Sequence, residues 1–372
     1  MSFYKTSLIH LFLISSVGTI HNALASEFPT AKKVFEDGSD PMLVTLTHLS
    51  YLKFDQDNNF VIYKLMYGLD SKKRAELERY LKSETQYYKN QGWDIKFLDV
   101  GKGLFSNNDS PGGVIASKCT LSSTEKPQGI CEVKIAFRGT RSLDDWGNDL
   151  NFLKTPLRFK DTNIKESEYE KLYKAGQAHQ GFLKAYNTVA QEISDTLQGL
   201  HAKNPGAQFS IRIGGHSLGA SLATIGAAHA TMAMTAMNMK KEQNAIHLET
   251  YGSPRTLGEK LSAELVELLG IDNIVRLVNK DEKGDTDLIT TIPFESMLRS
   301  QFRHVGDECI LTPQGTEIYE GFPKLRVLRT PHRIEGYKAA YLDQRQCHSQ
   351  QKDHPEKKKG VLGTIKSKLS IK

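Results

Sequence analysis

The sequence predicts the α/β class, a mainly parallel central sheet covered by helices on both faces. Two observations carry this. Short apolar runs at residues 131–137, 209–213, 245–251 and 273–279 alternate with longer helical patterns, the order that builds parallel sheets. In addition, the alternating run Phe209-Ser-Ile-Arg-Ile213 passes through a glycine-rich turn into an Ala- and Leu-rich helix spanning about 218–237. With 372 residues, 39% hydrophobic and 25% charged, the chain has the composition of a globular protein and the length for one large core.

The first 25 residues read as a leader rather than as part of the fold. Lys5 supplies a positive start, residues 8–20 are largely apolar, and Ala23-Leu24-Ala25 fits a cleavage site. The alternative is a transmembrane anchor, for which the apolar run is short. The expected organisation is a signal peptide over 1–25, one folded domain over 26–351 and a basic tail over 352–372. Export, to a periplasm or out of the cell, makes disulfides possible. Of the four cysteines, Cys119 and Cys131 flank a polar loop between two expected strands and would clamp a hairpin. Cys309 and Cys347 would then pair around the segment holding His332, the alternative being four buried thiols.

Taken in order, residues 42–54 and 60–67 carry apolar residues at helical spacing. Ser71–Asn90 reads as a charged helix with Ser71 as its N-cap. Residues 93–97 alternate and predict a strand, and 113–118 with 131–137 predict a hairpin leading into the sheet. The polar stretch 155–178 reads as a surface excursion, and 181–201 as one helix. Beyond the Ala- and Leu-rich helix come strands at 245–251 and 273–279 around a helix at 258–269, then a short strand at 308–312.

The net charge of +6 is unevenly placed. The tail from Lys352 carries seven lysines against Asp353 and Glu356, and Lys5 adds one more charge, so residues 26–351 are formally neutral. That argues against a nucleic-acid partner. In a helical tail, Val361, Leu362, Ile365 and Leu369 would share a face opposite lysines, a pattern suited to an anionic membrane surface. With Gly360 and Gly363 in it, a solvated terminus is the alternative. No Cys/His cluster suggests a metal, and no cofactor is expected.

The turn itself carries chemistry. Gly215-His-Ser-Leu-Gly219 fits G-x-S-x-G, the nucleophile elbow of the α/β-hydrolase fold. Such a turn holds its serine, here Ser217, in a strained conformation at the start of a helix. Glycines are needed where a Cβ would strike the neighbouring strand or helix. In this fold the partners follow in the order serine, acid, histidine. After Ser217 the acids just past the strand ending at Asn279 are Asp281, Asp285 and Asp287. The histidines are His229, His247, His304, His332, His348 and His354. His229 on the elbow helix and His247 on a strand read as packed or exposed.

Several blocks together resemble the class 3 lipases, the fungal-lipase-like α/β-hydrolases. They are Ile135-Ala-Phe-Arg-Gly-Thr-Arg-Ser-Leu-Asp-Asp-Trp-Gly-Asn-Asp-Leu150, His179-Gln-Gly-Phe182, Thr250-Tyr-Gly-Ser-Pro-Arg255, Asn273-Ile-Val-Arg-Leu-Val-Asn279 and His304-Val-Gly-Asp-Glu308. With the segment at His332 they cover about 113–341 in the family's order. The resemblance implies a lid over the active site and a Ser217–His332–Asp287 triad. Asp287-Leu-Ile-Thr-Thr-Ile-Pro293 matches the family's acid followed by a proline, although the stretch from Asn279 to Asp287 is longer than usual. Pro331-His332-Arg-Ile-Glu-Gly-Tyr337 resembles the catalytic histidine segment, with His304 second and read as structural. Thr140 and the N–H of Leu218 are implied as the oxyanion hole. Ser142 to Asn148 is implied as the lid, with Leu143 and Trp146 covering the site. Asp144, Asp145 and Gly147 depart from a typical lid, which weakens the expectation of strong interfacial activation.

The resulting expectation is an exported serine hydrolase of the triacylglycerol-lipase type that cleaves carboxylic esters of lipids through an acyl-enzyme. A phospholipase A1 or a soluble-ester carboxylesterase is the near alternative. A catalytically idle hydrolase fold that binds lipid or a partner is the alternative of another class. Activity on a short-chain ester that is lost in Ser217→Ala separates them.

Overall fold

The computed structural model describes residues 41–50, 52–54, 60–62, 71–101, 112–120, 129–139, 153–165, 176–239, 244–280, 287–293 and 302–311. The leader-like segment 1–25, the tail 352–372, Thr140, Leu143, Trp146 and His332 lie outside the described residues.

The fold is α/β around a seven-stranded sheet. In chain order its strands are β3 (Asp94–Leu98), β4 (Gly113–Thr120), β5 (Ile130–Phe137), β8 (Gln208–His216), β9 (Ala245–Tyr251), β11 (Ile274–Asn279) and β13 (Glu308–Leu311). Across the sheet they run β13-β11-β9-β8-β5-β4-β3. The ladders from β13 through β5 are parallel, and β4 and β3 are added antiparallel. A smaller sheet holds β6 (Lys154–Pro156), β7 (Gln177–His179), β10 (Leu257–Gly258) and β12 (Phe302–Arg303).

Period-two alternation sets which side chains of β8 face which layer. Phe209, Ile211 and Ile213 join the main core with α3 (Gln180–Tyr186), α4 (Ala190–Lys203) and α5 (Leu218–Ala236). Burying one such Ile contributes about 1.5–3 kcal/mol. On the opposite face Ala136, Val114 and Ala116 pack against Met42, Leu43 and Leu46 of α1 (Pro41–Leu49). Helices therefore cover both faces. The helix α5 is buried nearly all round, which its Ala- and Gly-rich sequence permits. A Cβ on Gly226 would lie 3.1 Å from the Tyr186 ring, a measure of how closely the helices approach.

The charged helix α2 (Ser71–Asn90) forms as expected, as does α6 (Glu259–Leu269). Three expectations change. The helix at 42–54 stops at Leu49, where Ser50 turns its hydroxyl onto the Thr47 carbonyl at 2.6 Å. The chain then forms a hairpin of β1 (Leu52–Phe54) and β2 (Phe60–Ile62). The helix at 181–201 is two helices broken at Asn187, whose side chain bonds the Arg158 carbonyl and the Lys160 N–H. Within 155–178, Leu157 is fully buried and Pro156 and Gln177 pair in the small sheet, so this stretch is not purely surface.

Cys119 and Cys131 face each other across the β4–β5 ladder and form the expected disulfide. Cys309 is disulfide-bonded as well, and its expected partner Cys347 lies outside the described residues.

Candidate active site

Five parallel strands present their C-terminal ends at one edge of the sheet, the edge where open α/β sheets place ligands. At the end of β8, Ser217 adopts φ 60° and ψ −125°. A non-glycine residue there costs about 1–3 kcal/mol and persists only where its surroundings force it. The surroundings are specific. Ser217 N–H donates to the Tyr251 carbonyl at 2.9 Å. A Cβ on Gly215 would fall 2.1 Å from the Gly219 carbonyl oxygen, and one on Gly219 would fall 2.3 Å from the Phe137 carbonyl oxygen. Both glycines are therefore obligatory. The Ser217 side chain makes no capping hydrogen bond to α5 although it sits at the N-cap. Leu218 is the first helical residue, a position whose N–H has no acceptor within the helix. The helix dipole adds positive potential at the same point.

The end of β5 lies directly against this turn. A Cβ on Gly139 would lie 2.7 Å from Ser217 Cβ and 3.2 Å from Ser217 Oγ. Gly139 immediately precedes Thr140, the expected oxyanion residue, which lies outside the described residues.

Asp287 follows β11, separated from β8 by β9 alone. It is 1% exposed and caps a 3₁₀ turn over Leu288–Thr291, one carboxylate oxygen accepting from Ile289 N–H at 3.0 Å. Its own N–H donates to the Asn279 carbonyl at 3.0 Å, which closes the long stretch after the strand. Asp281 and Asp285, the other candidate acids, lie outside the described residues. The turn is held from outside as well. His304 Nε2 donates to the Thr290 carbonyl at 2.8 Å. Burial, with the charge of Arg276 adding to it, pushes the His304 pKa down to about 3, so the ring is a neutral donor. In the same block Glu308 pairs with Arg276 at 3.1 Å across the parallel register. His304 thus supports the acid turn.

The H-x-G-F block has a packing role. His179 is fully buried and stacks on Phe182 with ring centroids 4.0 Å apart, and burial pushes its pKa down to about 4.

His229 is fully buried and bonded at both ring nitrogens, to Tyr186 Oη at 2.9 Å and to Asp161 Oδ2 at 2.7 Å. Burial raises the Asp161 pKa, but hydrogen bonds from His229 and the Asn163 N–H outweigh it and the net shift is downward. The pairing with Asp161 had no local signal, because 68 residues separate the partners. Gly139 and Arg255 are two further residues at the site whose roles spacing alone did not mark.

A serine on a strained strand-to-helix turn, with a buried carboxylate two strands away, is an arrangement that fits the α/β-hydrolase fold. Residues 134–297 match the family model for class 3 lipases. The matched span holds Ser217 and Asp287 and ends before His332. The chain is 25% identical over 226 residues to the Arabidopsis thaliana protein named galactolipase DONGLE, chloroplastic, covering 57% of this chain and 45% of that protein. It is 30% identical over 189 residues to phospholipase A1-Igamma1, chloroplastic, of the same organism, covering 48% and 36%. To the secreted mono- and diacylglycerol lipase 1 of Fusarium solani it is 29% identical over 124 residues, covering 33% and 30%. The chain thus spans less than half the length of these curated relatives. Among solved structures it is similar to the mono- and diacylglycerol lipase from Aspergillus oryzae, at 20% identity and a TM-score of 0.45 over 75% of this chain and 81% of that one.

Proposed function

We propose that the chain is a serine hydrolase that cleaves carboxylic ester bonds of lipids through an acyl-enzyme. One observation carries the reading: Ser217 is held at φ 60° with Gly139 against its hydroxyl. In this reading Ser217 Oγ attacks the ester carbonyl while His332 takes its proton. Asp287 orients His332 and stabilises the imidazolium. The Leu218 N–H and Thr140 stabilise the tetrahedral oxyanion. His332 then protonates the leaving alcohol, and a water repeats the sequence to release the acid. Leu143 and Trp146 are assigned to a lid that closes over the site. The proposed organisation remains a leader over 1–25, the hydrolase domain over 26–351 and a basic, membrane-contacting tail over 352–372. A disulfide clamping β4 to β5 favours an exported protein.

Within the class, the triacylglycerol-lipase reading has one rival with an observation behind it. Two Arabidopsis relatives are named galactolipase and phospholipase A1, which favours a polar-lipid substrate. The test is a panel of triacylglycerol, phosphatidylcholine and p-nitrophenyl butyrate with the wild type and Ser217→Ala. The proposal predicts hydrolysis of at least one ester, lost in Ser217→Ala. A folded protein inactive on all of them is instead the idle, lipid-binding fold.

A further inference from the structure

The nucleophile and the acid sit on different strands, and one segment touches both. β9 lies between β8 and β11. At its end the Tyr251 carbonyl accepts the Ser217 N–H at 2.9 Å, and Gly252 N–H donates to the Leu277 carbonyl of β11 at 3.0 Å. Three residues on, Arg255 N–H donates to the Ile292 carbonyl at 2.8 Å. Its guanidinium Nη1 donates to two more carbonyls of the same stretch, Thr291 at 2.5 Å and Pro293 at 2.9 Å. Next, Thr256 Oγ1 bonds Ser221 Oγ at 2.8 Å on the first turn of α5, directly behind the elbow. Thus residues 251–256 are fastened to the serine turn at two points and to the stretch after Asp287 at three.

We propose that Arg255 is a positioning residue for catalysis, a clamp that fixes the Asp287 turn relative to Ser217. It touches neither the substrate nor the reacting atoms. A carboxylate on a free-standing turn would be placed by Asp287's own short bonds alone. With both N–H groups of one nitrogen on the carbonyls of residues 291 and 293, the turn cannot swing away from β9 without breaking charge-assisted bonds. The guanidinium also lies close enough to His304 to help depress its pKa. His304, in turn, holds the Thr290 carbonyl. Arg255 therefore acts on three consecutive carbonyls directly, and through a neighbour on a fourth. Lys carries a similar charge but lacks the planar fork, so it restores only part of this.

The inference rests on the assignment of Ser217 and Asp287 made above, and the test separates the two. Arg255→Met, Arg255→Lys, Asp287→Asn and the Arg255→Met/Asp287→Asn double variant of the full chain are assayed on p-nitrophenyl butyrate. Rates are divided by the serine titrated with a fluorophosphonate, so that unfolded molecules do not count. Displacing the acid by about 1 Å costs on the order of 10–100-fold. Arg255→Met is expected to lose that much in kcat per titrated serine, with KM within about twofold and Arg255→Lys intermediate. In the double variant Arg255→Met adds less than about threefold to the loss from Asp287→Asn, because both act through one carboxylate. Full kcat per titrated serine in Arg255→Met, or multiplicative losses in the double variant, overturns the clamp while leaving the triad standing. Full activity in Asp287→Asn overturns both. Should Arg255→Met yield no folded protein, Arg255→Lys decides: a kcat per serine equal to the wild type's overturns the proposal.

Discussion

Gly139 and Ser217 are packed so closely that a single methyl group cannot be added between them. An added Cβ on Gly139 would lie 2.7 Å from Ser217 Cβ, 3.0 Å from the His216 carbonyl oxygen and 3.2 Å from Ser217 Oγ. The strand carrying the expected oxyanion residue and the strand carrying the expected nucleophile therefore converge on one point. That convergence, more than the G-x-S-x-G pattern, supports placing the proposed chemistry at this edge of the sheet.

Gly139→Ala should test the convergence. Its methyl must displace Ser217 or the strand end, by a few tenths of an ångström or more. The expected outcome is a fall in kcat on a short-chain ester of about tenfold or more, with the fold kept by circular dichroism. Gly219→Ala meets rigid backbone, at 2.3 Å from the Phe137 carbonyl oxygen, and should fail to fold stably.

Asp161 ties the stretch after the expected lid to the elbow helix. Its carboxylate and the His229 ring are both fully buried, 2.7 Å apart. The surrounding residues fasten the same stretch to α4, with Thr162 bonding Gln191 and Asn163 bonding Ser194 and Asp195. Removing one partner of a buried pair strands the other. His229→Ala should therefore lower unfolding stability by about 3 kcal/mol in urea denaturation. Asp161→Asn, which keeps a hydrogen-bonding group of the same shape, should cost less.

Acid should weaken the fold through its buried histidines. His304 and His179 have pKa values lowered by burial from 6.5 to about 3 and about 4. The native state holds these rings neutral while the unfolded chain protonates them below pH 6.5, so unfolding takes up protons in that window. Their contribution is whole above pH 6.5 and is lost as pH falls toward 4 and then 3. The melting temperature should fall steadily from pH 7 to pH 5, and His304→Asn should flatten that slope. An unchanged slope in His304→Asn would mean that the ring titrates normally.

The strand, turn and helix around Ser217 were legible in sequence because their signals are local. The alternation at 209–213, the glycines at 215 and 219 and the Ala-rich helix lie within one short stretch. Asp287 was singled out only through the family resemblance of Asp287 to Pro293, whereas the hairpin disulfide was legible from two cysteines flanking a loop. Features set by distant contacts were not legible. Helical spacing at 42–54 covered two turns of helix and one strand, and short apolar runs do not separate the two. The break at Asn187 is set by its bonds to Arg158 and Lys160, and the burial of His229 by Asp161. The bonds from Arg255 to the carbonyls of Thr291 and Pro293 span 36 and 38 residues, so no local pattern marks them.

The proposed hydrolysis requires Ser217 to be an activated nucleophile. The direct measurement is reaction of the full chain with a fluorophosphonate, followed by mass spectrometry of the labelled peptide. The expected outcome is one adduct, on Ser217, absent in Ser217→Ala and formed at least about tenfold more slowly in Asp287→Asn and His332→Ala. A folded wild type that takes no label, or takes it at another residue while Ser217→Ala still hydrolyses esters, would contradict it.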